Sequence, residues 1–422
     1  MIKLLTRLEN RNFQRLWWGQ LISQFGDRIH QMALVALVAE RAHGSTLMLA
    51  KLMACTIIPV FFIQPIAGVL VDRWDRRMTL LICDIARGIL VLLIPLVFIF
   101  WKTLVPIYIL VFLVFCFSRF YQPAKMSIIP DLVPKDYLLT ANSLVSTTGM
   151  IAFILGCALG GILVDRYGAR VGFMVDAATF FISGAFVFSI DISRRFKVSR
   201  ELLWKAGREI VGPIRKTILG ELKEGFEYLV RHRELRFVIA MIFTFLAAAG
   251  AVYVVIIVFV QEAFGSVTKD LGVLAVCLGA GLFMGAILYG RLGKQSPWYK
   301  TMFLGLVAGG FMLAVFAGMV QYYPHLPTAM FLSFLLGVMT GPVFIAANTV
   351  IHLVSEEGMR GKVFSVLEIV IHFAFLASML LSSWLSEFIA KAWILIGVGV
   401  LFVCVGLYGF WMKPKFAELS SR

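Results

Sequence analysis

Residues 68–77 read Gly68-Val-Leu-Val-Asp72-Arg73-Trp74-Asp75-Arg76-Arg77, and residues 78–100 continue without a break as MTLLICDIARGILVLLIPLVFIF. The first piece ends in a run of acids and bases that belongs in water. In the second, only Asp84 and Arg87 carry charge. A membrane-crossing helix needs about 20 mostly apolar residues, and this run supplies them. A transmembrane strand would show about 10 residues of alternating polarity instead. The stretch therefore reads as a hydrated turn feeding a transmembrane helix.

The same pattern extends outward in both directions. Apolar runs lie near 14–38, 48–71, 104–126, 139–163 and 170–190, then a polar stretch follows, then runs near 234–260, 270–290, 301–320, 326–352, 363–388 and 392–412. With 78–100 this predicts an all-α integral membrane protein with 12 transmembrane helices in two six-helix halves. The expected units are 1–190, a cytoplasmic linker over 191–233, and 234–422. In that linker Ile218, Leu222, Phe226 and Leu229 recur at helical spacing between Lys223, Glu224, Glu227 and Arg231, which fits an amphipathic helix on the membrane face or a plain connecting helix.

Composition agrees. The 422 residues are 60% hydrophobic and 15% charged, against about 25% charged in an ordinary soluble domain. The net charge of +15 would suggest nucleic acid in a soluble protein, but here too little polar surface remains to cover one. Its placement gives another reason for the charge. With the N-terminus on the cytoplasmic side, 29 of the 39 Lys and Arg fall on that side and 7 on the other, leaving Arg28, Arg87 and Arg119 inside spans. That bias places both termini in the cytoplasm. The six cysteines sit in apolar runs with no CxxC spacing, so they read as small core hydrophobes. The polar, basic first 15 residues are not followed by a cleavage site, so no cleavable leader is expected.

One short repeat stands out. Gly68-Val-Leu-Val-Asp-Arg-Trp recurs as Gly161-Ile-Leu-Val-Asp-Arg-Tyr three spans later, as an inverted repeat of three spans would produce. A weaker echo is Gly285-Ala-Ile-Leu-Tyr-Gly-Arg-Leu-Gly-Lys.

The 68–77 turn resembles the loop signature of the major facilitator superfamily. Further stretches narrow the likeness: Gln24-Phe-Gly-Asp27, Cys83-Asp84-Ile-Ala-Arg87, Gln122-Pro-Ala, Ile129-Pro-Asp-Leu-Val-Pro, Ala141-Asn-Ser-Leu, Gly160-Gly-Ile-Leu, Asp176-Ala-Ala-Thr-Phe, Glu224-Gly-Phe-Glu-Tyr-Leu and Met359-Arg-Gly-Lys-Val-Phe-Ser. Together they resemble the drug-exporter branch that holds macrolide efflux proteins and the enterobactin exporter. The lysophospholipid transporters are similar too. The resemblance implies the major facilitator fold and a role for Asp72 in anchoring the two halves. Tyr289 departs from the pattern where an Asp is expected, so a symmetric role for the second-half loop is not implied.

An ionisable residue inside a span is costly and marks function by default. Asp27 and His30 are one turn apart in the first span and can share a face, as a proton-titrating site or as an ion pair with another helix. Arg28, about 100° round the helix, should face elsewhere. Glu368 and His372 are four apart in the eleventh span and form a second candidate proton site. Arg119 could hold an anionic head group or join Asp84 and Arg87. Those two read as a structural pair near the cytoplasmic gate. Asp176 reads as a cap for the turn before it, with Arg166 or Arg170. Gln24, Gln64, Asn142, Tyr253 and Asn348 are polar within spans and could orient a substrate in a cavity expected to be otherwise apolar. In the turn, Gly68 allows close helix approach. Asp72 can accept from a helix N-terminus. Arg73, Asp75, Arg76 and Arg77 complete the hydrated gate.

The function expected is secondary active export of a lipophilic or amphipathic small molecule (drug, macrolide or siderophore type) by alternating access. It would act as a proton antiporter in the bacterial inner membrane. The alternative is a lysophospholipid transporter of the same membrane. No HExxH motif, histidine cluster or phosphate-binding loop appears, so no enzyme, ATP-driven pump, metal or other cofactor is expected beyond the proton gradient. The expected partners are the substrate and the bilayer, without nucleic acid, and the expected state is a monomer.

Overall fold

The computed structural model describes residues 11–42, 44–101, 103–191, 220, 224, 227, 231, 233–292, 298–354 and 360–411, with the side chains of 233–239, 292, 298, 344–354 and 360–365 outside the description. Among the described residues all regular structure is helical. In chain order the helices are α1 (Arg11–Arg41), α2 (Thr46–Ile57), α3 (Pro59–Phe62), α4 (Gln64–Val71), α5 (Arg76–Phe100), α6 (Val105–Leu132), α7 (Leu138–Phe188), α8 (Arg233–Phe264), α9 (Lys269–Leu292), α10 (Trp298–Tyr322), α11 (Leu326–Val354), α12 (Arg360–Leu385) and α13 (Lys391–Trp411). Nine helical stretches among the described residues are long and apolar enough to cross a membrane, or ten if the bent pair Thr46–Phe62 and Gln64–Val71 is one span. Most of the amphipathic linker, including Ile218, Leu222, Phe226 and Leu229, lies outside the described residues.

Two local devices shape these helices. Pro59 and Pro65 each sit at the start of a helix, where a missing N–H costs nothing, and they divide the expected second span into three pieces. The fifth and sixth spans are one run of helix with a break at Gly168, whose φ of 83° lies in the left-handed region that only glycine enters freely. The expected loop between those spans is thus reduced to a pivot.

The chain forms two compact units, Met1–Leu37 with Lys51–Leu219, and Val38–Ala50 with Gly220–Arg422. In the first, α1 lies close against both arms of α7. A Cβ on Gly26 would run into Asp176 and Thr179, one on Gly160 would come within 3.0 Å of the Ile29 backbone, and one on Gly156 within 2.9 Å of Arg28. Small residues at such crossings let backbones approach in a membrane, where no hydrophobic force draws helices together. In the second unit the device is repeated more densely. Cβ atoms on Gly281 and Gly285 would strike the carbonyls of Phe334 and Val338, and those on Gly337 and Gly341 would strike the carbonyls of Leu278 and Leu282. Gly310 and Gly399 face each other in the same way between α10 and α13.

The cysteine expectation holds for two of six. Cys83 and Cys157 are buried, Cys55, Cys116 and Cys277 are half-buried, and Cys404 is exposed on the outer face of α13. An apolar environment outside the protein explains the last: in a membrane a small apolar side chain can face lipid as readily as the core.

Candidate functional site

The site lies within the first unit and starts from α1. Its helical repeat brings Gln20, Gln24, Asp27 and Gln31 toward one cavity, with Ser23 and His30 beside them. The cavity is about 360 Å³ and takes its other walls from α2, α5, α6 and α7. Arg87, Arg119, Lys125 and Asp176 line it, together with Ser118, Tyr121 and Gln122. Leu34, Met53, Val114, Phe115 and Phe180 supply the apolar part. Most of these lining residues are polar, so this cavity differs from the otherwise apolar one expected between the halves. The Phe and Met content that suggested it is spent elsewhere, much of it on outward-facing positions such as Phe100, Phe188, Phe331 and Phe388.

Two buried charge pairs stand at this site. Nδ1 of His30 is 2.9 Å from Oδ2 of Asp176, and the two side chains are 5% and 1% exposed. Nε2 of His30 and Oδ1 of Asp176 make no hydrogen bond of their own. The His30 ring also meets Phe173 edge-on at 5.3 Å. Asp176 therefore does not cap its turn with Arg166 or Arg170. It is fully buried and reaches α1, because Gly26 leaves room for it there.

The second pair is on α5. Arg87 Nη2 donates to Asp84 Oδ1 at 2.5 Å, and Ser183 Oγ donates to Asp84 Oδ2 at 2.8 Å. The guanidinium lies between the rings of Tyr121 and Phe180, 4.1 and 4.3 Å from their centroids. Gln20 in turn donates to the Tyr121 hydroxyl. A buried pair is tolerable only when its remaining lone pairs and protons are met, and this one is nearly enclosed.

Three cations face the same space. Arg28 Nη1 donates to Gln31 at 3.1 Å and its guanidinium lies 5.1 Å over Phe153. Arg28 and Asp27 both line the cavity, although adjacent residues diverge on a helix. The Arg28 side chain leaves α1 against α7, beside Gly156 and Phe153, and reaches the cavity from there. Arg119 stands 3.5 Å from Gln64 Oε1. Lys125 is 8% exposed, inside α6, which runs on to Leu132. The sequence count placed Lys125 on the cytoplasmic side, at the very end of the 104–126 run, but α6 continues past it to Leu132, so that count of 29 loses one residue.

Residues 3–420 match the family of transmembrane secretion effectors, a branch of the major facilitator superfamily. The chain belongs to that family. Among its relatives, the uncharacterized MFS-type transporter YfiS of Bacillus subtilis is 27% identical over 95% of this chain and 92% of its own. Macrolide efflux protein A of Streptococcus pyogenes is 22% identical over 94% of both. A crystal structure of a POT family transporter in complex with a thioalcohol-conjugated peptide superposes with a TM-score of 0.71 at 14% identity, covering 96% of each chain. That likeness shows the fold. The protein is thus a multi-pass transporter of the major facilitator type.

Of the residues singled out in the sequence, the structure of this transporter brings Gln24, Asp27, His30, Arg87 and Arg119 to one cavity. Gln64 touches its edge through Arg119, and Asn142 is exposed. Tyr253, Glu368 and His372 belong to the second unit. There the His372 ring meets the main-chain carbonyl of Glu368 at 2.7 Å, so the contact expected between two side chains is made to the backbone. Tyr253 lies 5.5 Å from the Phe375 ring. The side chain of Asn348 lies outside the described residues.

The 68–77 turn is built as a fastening. Asp75 caps α5 by accepting from the Met78 amide at 2.7 Å. Arg76 donates to Asp131 at 2.6 Å and to the Ser127 carbonyl at 2.8 Å. Arg77 donates to two of the last carbonyls of α7, that of Val187, which also accepts from the Ile190 amide, and that of Phe188. Asp72 and Arg73 are exposed. A Cβ on Gly68 would meet nothing within 4 Å, so the close approach expected at that glycine is not made in this structure.

Sequence reasoning missed Lys125, Tyr121 and the true partner of Asp176. Lys125 carried a signal, since it follows Pro123 within a helix of 28 residues rather than 23. Asp176, Thr179 and Ser183 recur on one face of α7, which marks a polar face toward protein.

Proposed function

We propose that this transporter exports an amphipathic small molecule by alternating access, with inward proton movement as its energy source. Twelve spans with both termini in the cytoplasm complete the reading. Counting α1 as a span despite its polar face, and α7 as two spans divided at Gly168, raises the ten apolar spans to twelve. The observation that carries the reading is the His30–Asp176 pair: a base and an acid, buried together, on the wall of a cavity within a transporter of the secretion-effector family. Such a pair can take up a proton without leaving a lone charge in the membrane. Asp27 is the further acid on the same wall.

The test uses inverted membrane vesicles from a sensitive host expressing the protein. Uptake of a macrolide or a fluorescent amphiphile should depend on the imposed proton gradient and collapse with an uncoupler. Rapid uptake that ignores the uncoupler would sink the proton-driven reading. A second reading, transport of lysophospholipids in the inner membrane, is favoured by one observation. The cavity holds several cations, which suit a phosphate head group. Uptake of labelled lysophosphatidylethanolamine into spheroplasts, with and without uncoupler, separates the two.

A further inference from the structure

We infer that the cavity of the first unit binds the anionic group, phosphate or carboxylate, of an amphipathic substrate, with Lys125 as the main contact and Arg119 and Arg28 beside it. The role of this group as cargo rests on the transporter reading above; its binding does not.

Six ionisable side chains besides His30 line the cavity: Arg28, Arg87, Arg119 and Lys125 with Asp27 and Asp176. Arg87 is matched by Asp84 just behind it, and Asp176 by His30. Asp27 is the other carboxylate of the lining, and Arg28 and Arg119 add positive charge to the same wall as Lys125. A lone positive charge in a membrane interior is costly unless something meets it.

Lys125 is the sharpest case. It is more than nine-tenths buried, it lines the cavity, and among the described residues no hydrogen bond or ion pair holds its ammonium. Asp27 and Arg87 act on it electrostatically with opposite signs. The group is thus placed to donate into the cavity. The neighbouring cations add planar guanidinium donors, which suit the paired oxygens of phosphate and carboxylate. Opposite them, Leu34, Met53, Val114 and Phe115 offer an apolar wall for the rest of the molecule. About 360 Å³ suits a head group and a short apolar segment, near the lower end of ligand cavities.

The experiment is a set of equilibrium titrations on the full-length protein in a neutral detergent, with probes that share one chain length. Octyl phosphate and octanoate should bind saturably, and both should bind about tenfold or more tightly than octyltrimethylammonium. Lys125→Gln should weaken octyl phosphate by about tenfold or more, the scale of a lost charged hydrogen bond, while Lys125→Arg stays near the parent. Lys135→Gln, at an exposed position, should change nothing. Where Lys125→Gln does not fold, Arg119→Gln carries the same expected loss.

Equal or tighter binding of the cationic probe overturns the inference, as does octyl phosphate affinity that ignores the folded variants. Competition identifies the source of the anion. Displacement by inorganic phosphate supports a site for soluble phosphates, and displacement only by lysophosphatidic acid supports a lipid head group. Anion binding without uncoupler-sensitive uptake leaves the inference standing and sinks the exporter reading. Uncoupler-sensitive uptake without anion binding does the reverse.

Discussion

The two units solve the packing of membrane helices by different means. The first keeps Asp84, Arg87, Lys125, His30 and Asp176 buried and holds its helices partly through their hydrogen bonds. In the second, the buried acidic or basic side chain among the described residues is Asp270, in the first turn of α9, where an acid suits the helix dipole. That unit closes α9 on α11 and α10 on α13 through glycines, backbone against backbone. The contrast teaches where chemistry and where stiffness reside. Buried charge costs stability unless it is paired, so its concentration in one unit marks that unit's cavity as a working site. Glycine seams carry no titratable group and leave no side chain free to repack.

Five outcomes would break or sharpen this contrast. The largest effect should come from Asp84→Ala, which strands Arg87 inside the first unit. It should cost about 3–5 kcal/mol, read as a lowered melting temperature in detergent, and the double change Asp84→Leu with Arg87→Leu should recover most of it. A double variant as unstable as the single one would mean that the pair is not the binding element. Next, Gly281→Val in the second unit pushes a side chain into the Phe334 carbonyl and should cost about 1–3 kcal/mol or the fold itself, visible as loss of the monodisperse peak on gel filtration. A tolerated valine would show that the seam can open, and the contrast would lose its second half.

His30→Ala and Asp176→Asn should each reduce proton-dependent transport by about tenfold, within the usual range for proton-transfer groups. Transport at the parental rate in both would reduce the pair to a structural contact. Asp72→Asn should also lower transport while protein level holds, and a parental rate there would remove the gate assignment. The smallest effect belongs to Lys391→Ala, which breaks the 2.8 Å pair with the half-exposed Glu262. It should change stability by less than about 1 kcal/mol in the same melting assay.

Much of this was legible in the sequence. Run lengths located the helices, and the spacing of Asp84 and Arg87 placed their pair one turn apart. The 68–77 turn and its neighbouring motifs pointed to the superfamily to which the chain belongs. What escaped depended on distant segments meeting. His30 and Asp176 are far apart in the chain, and only the close crossing at Gly26 joins them. Lys125 escaped because hydropathy ends a span where apolar residues end, whereas α6 continues through a polar turn that the protein itself covers. The cavity's polarity escaped because composition averages over lipid-facing and inward-facing positions alike.

The shared wall of His30, Asp176 and Lys125 has a thermodynamic consequence. A proton on the His30–Asp176 pair adds positive charge to the space where an anion would bind, among Asp27, Asp84, Arg28, Arg87, Arg119 and Lys125. Each then raises the affinity of the other, and by the same factor, since linkage is reciprocal. Octanoate, which stays an anion across this range, should therefore bind more tightly at pH 6 than at pH 8. The opposite order would mean that proton and anion compete for the cavity. With positive linkage, exchange of one for the other has to be enforced by a rule on conformational switching, in which the doubly loaded carrier does not turn over. An equilibrium titration at two pH values thus reports the sign of the binding linkage without measuring any flux.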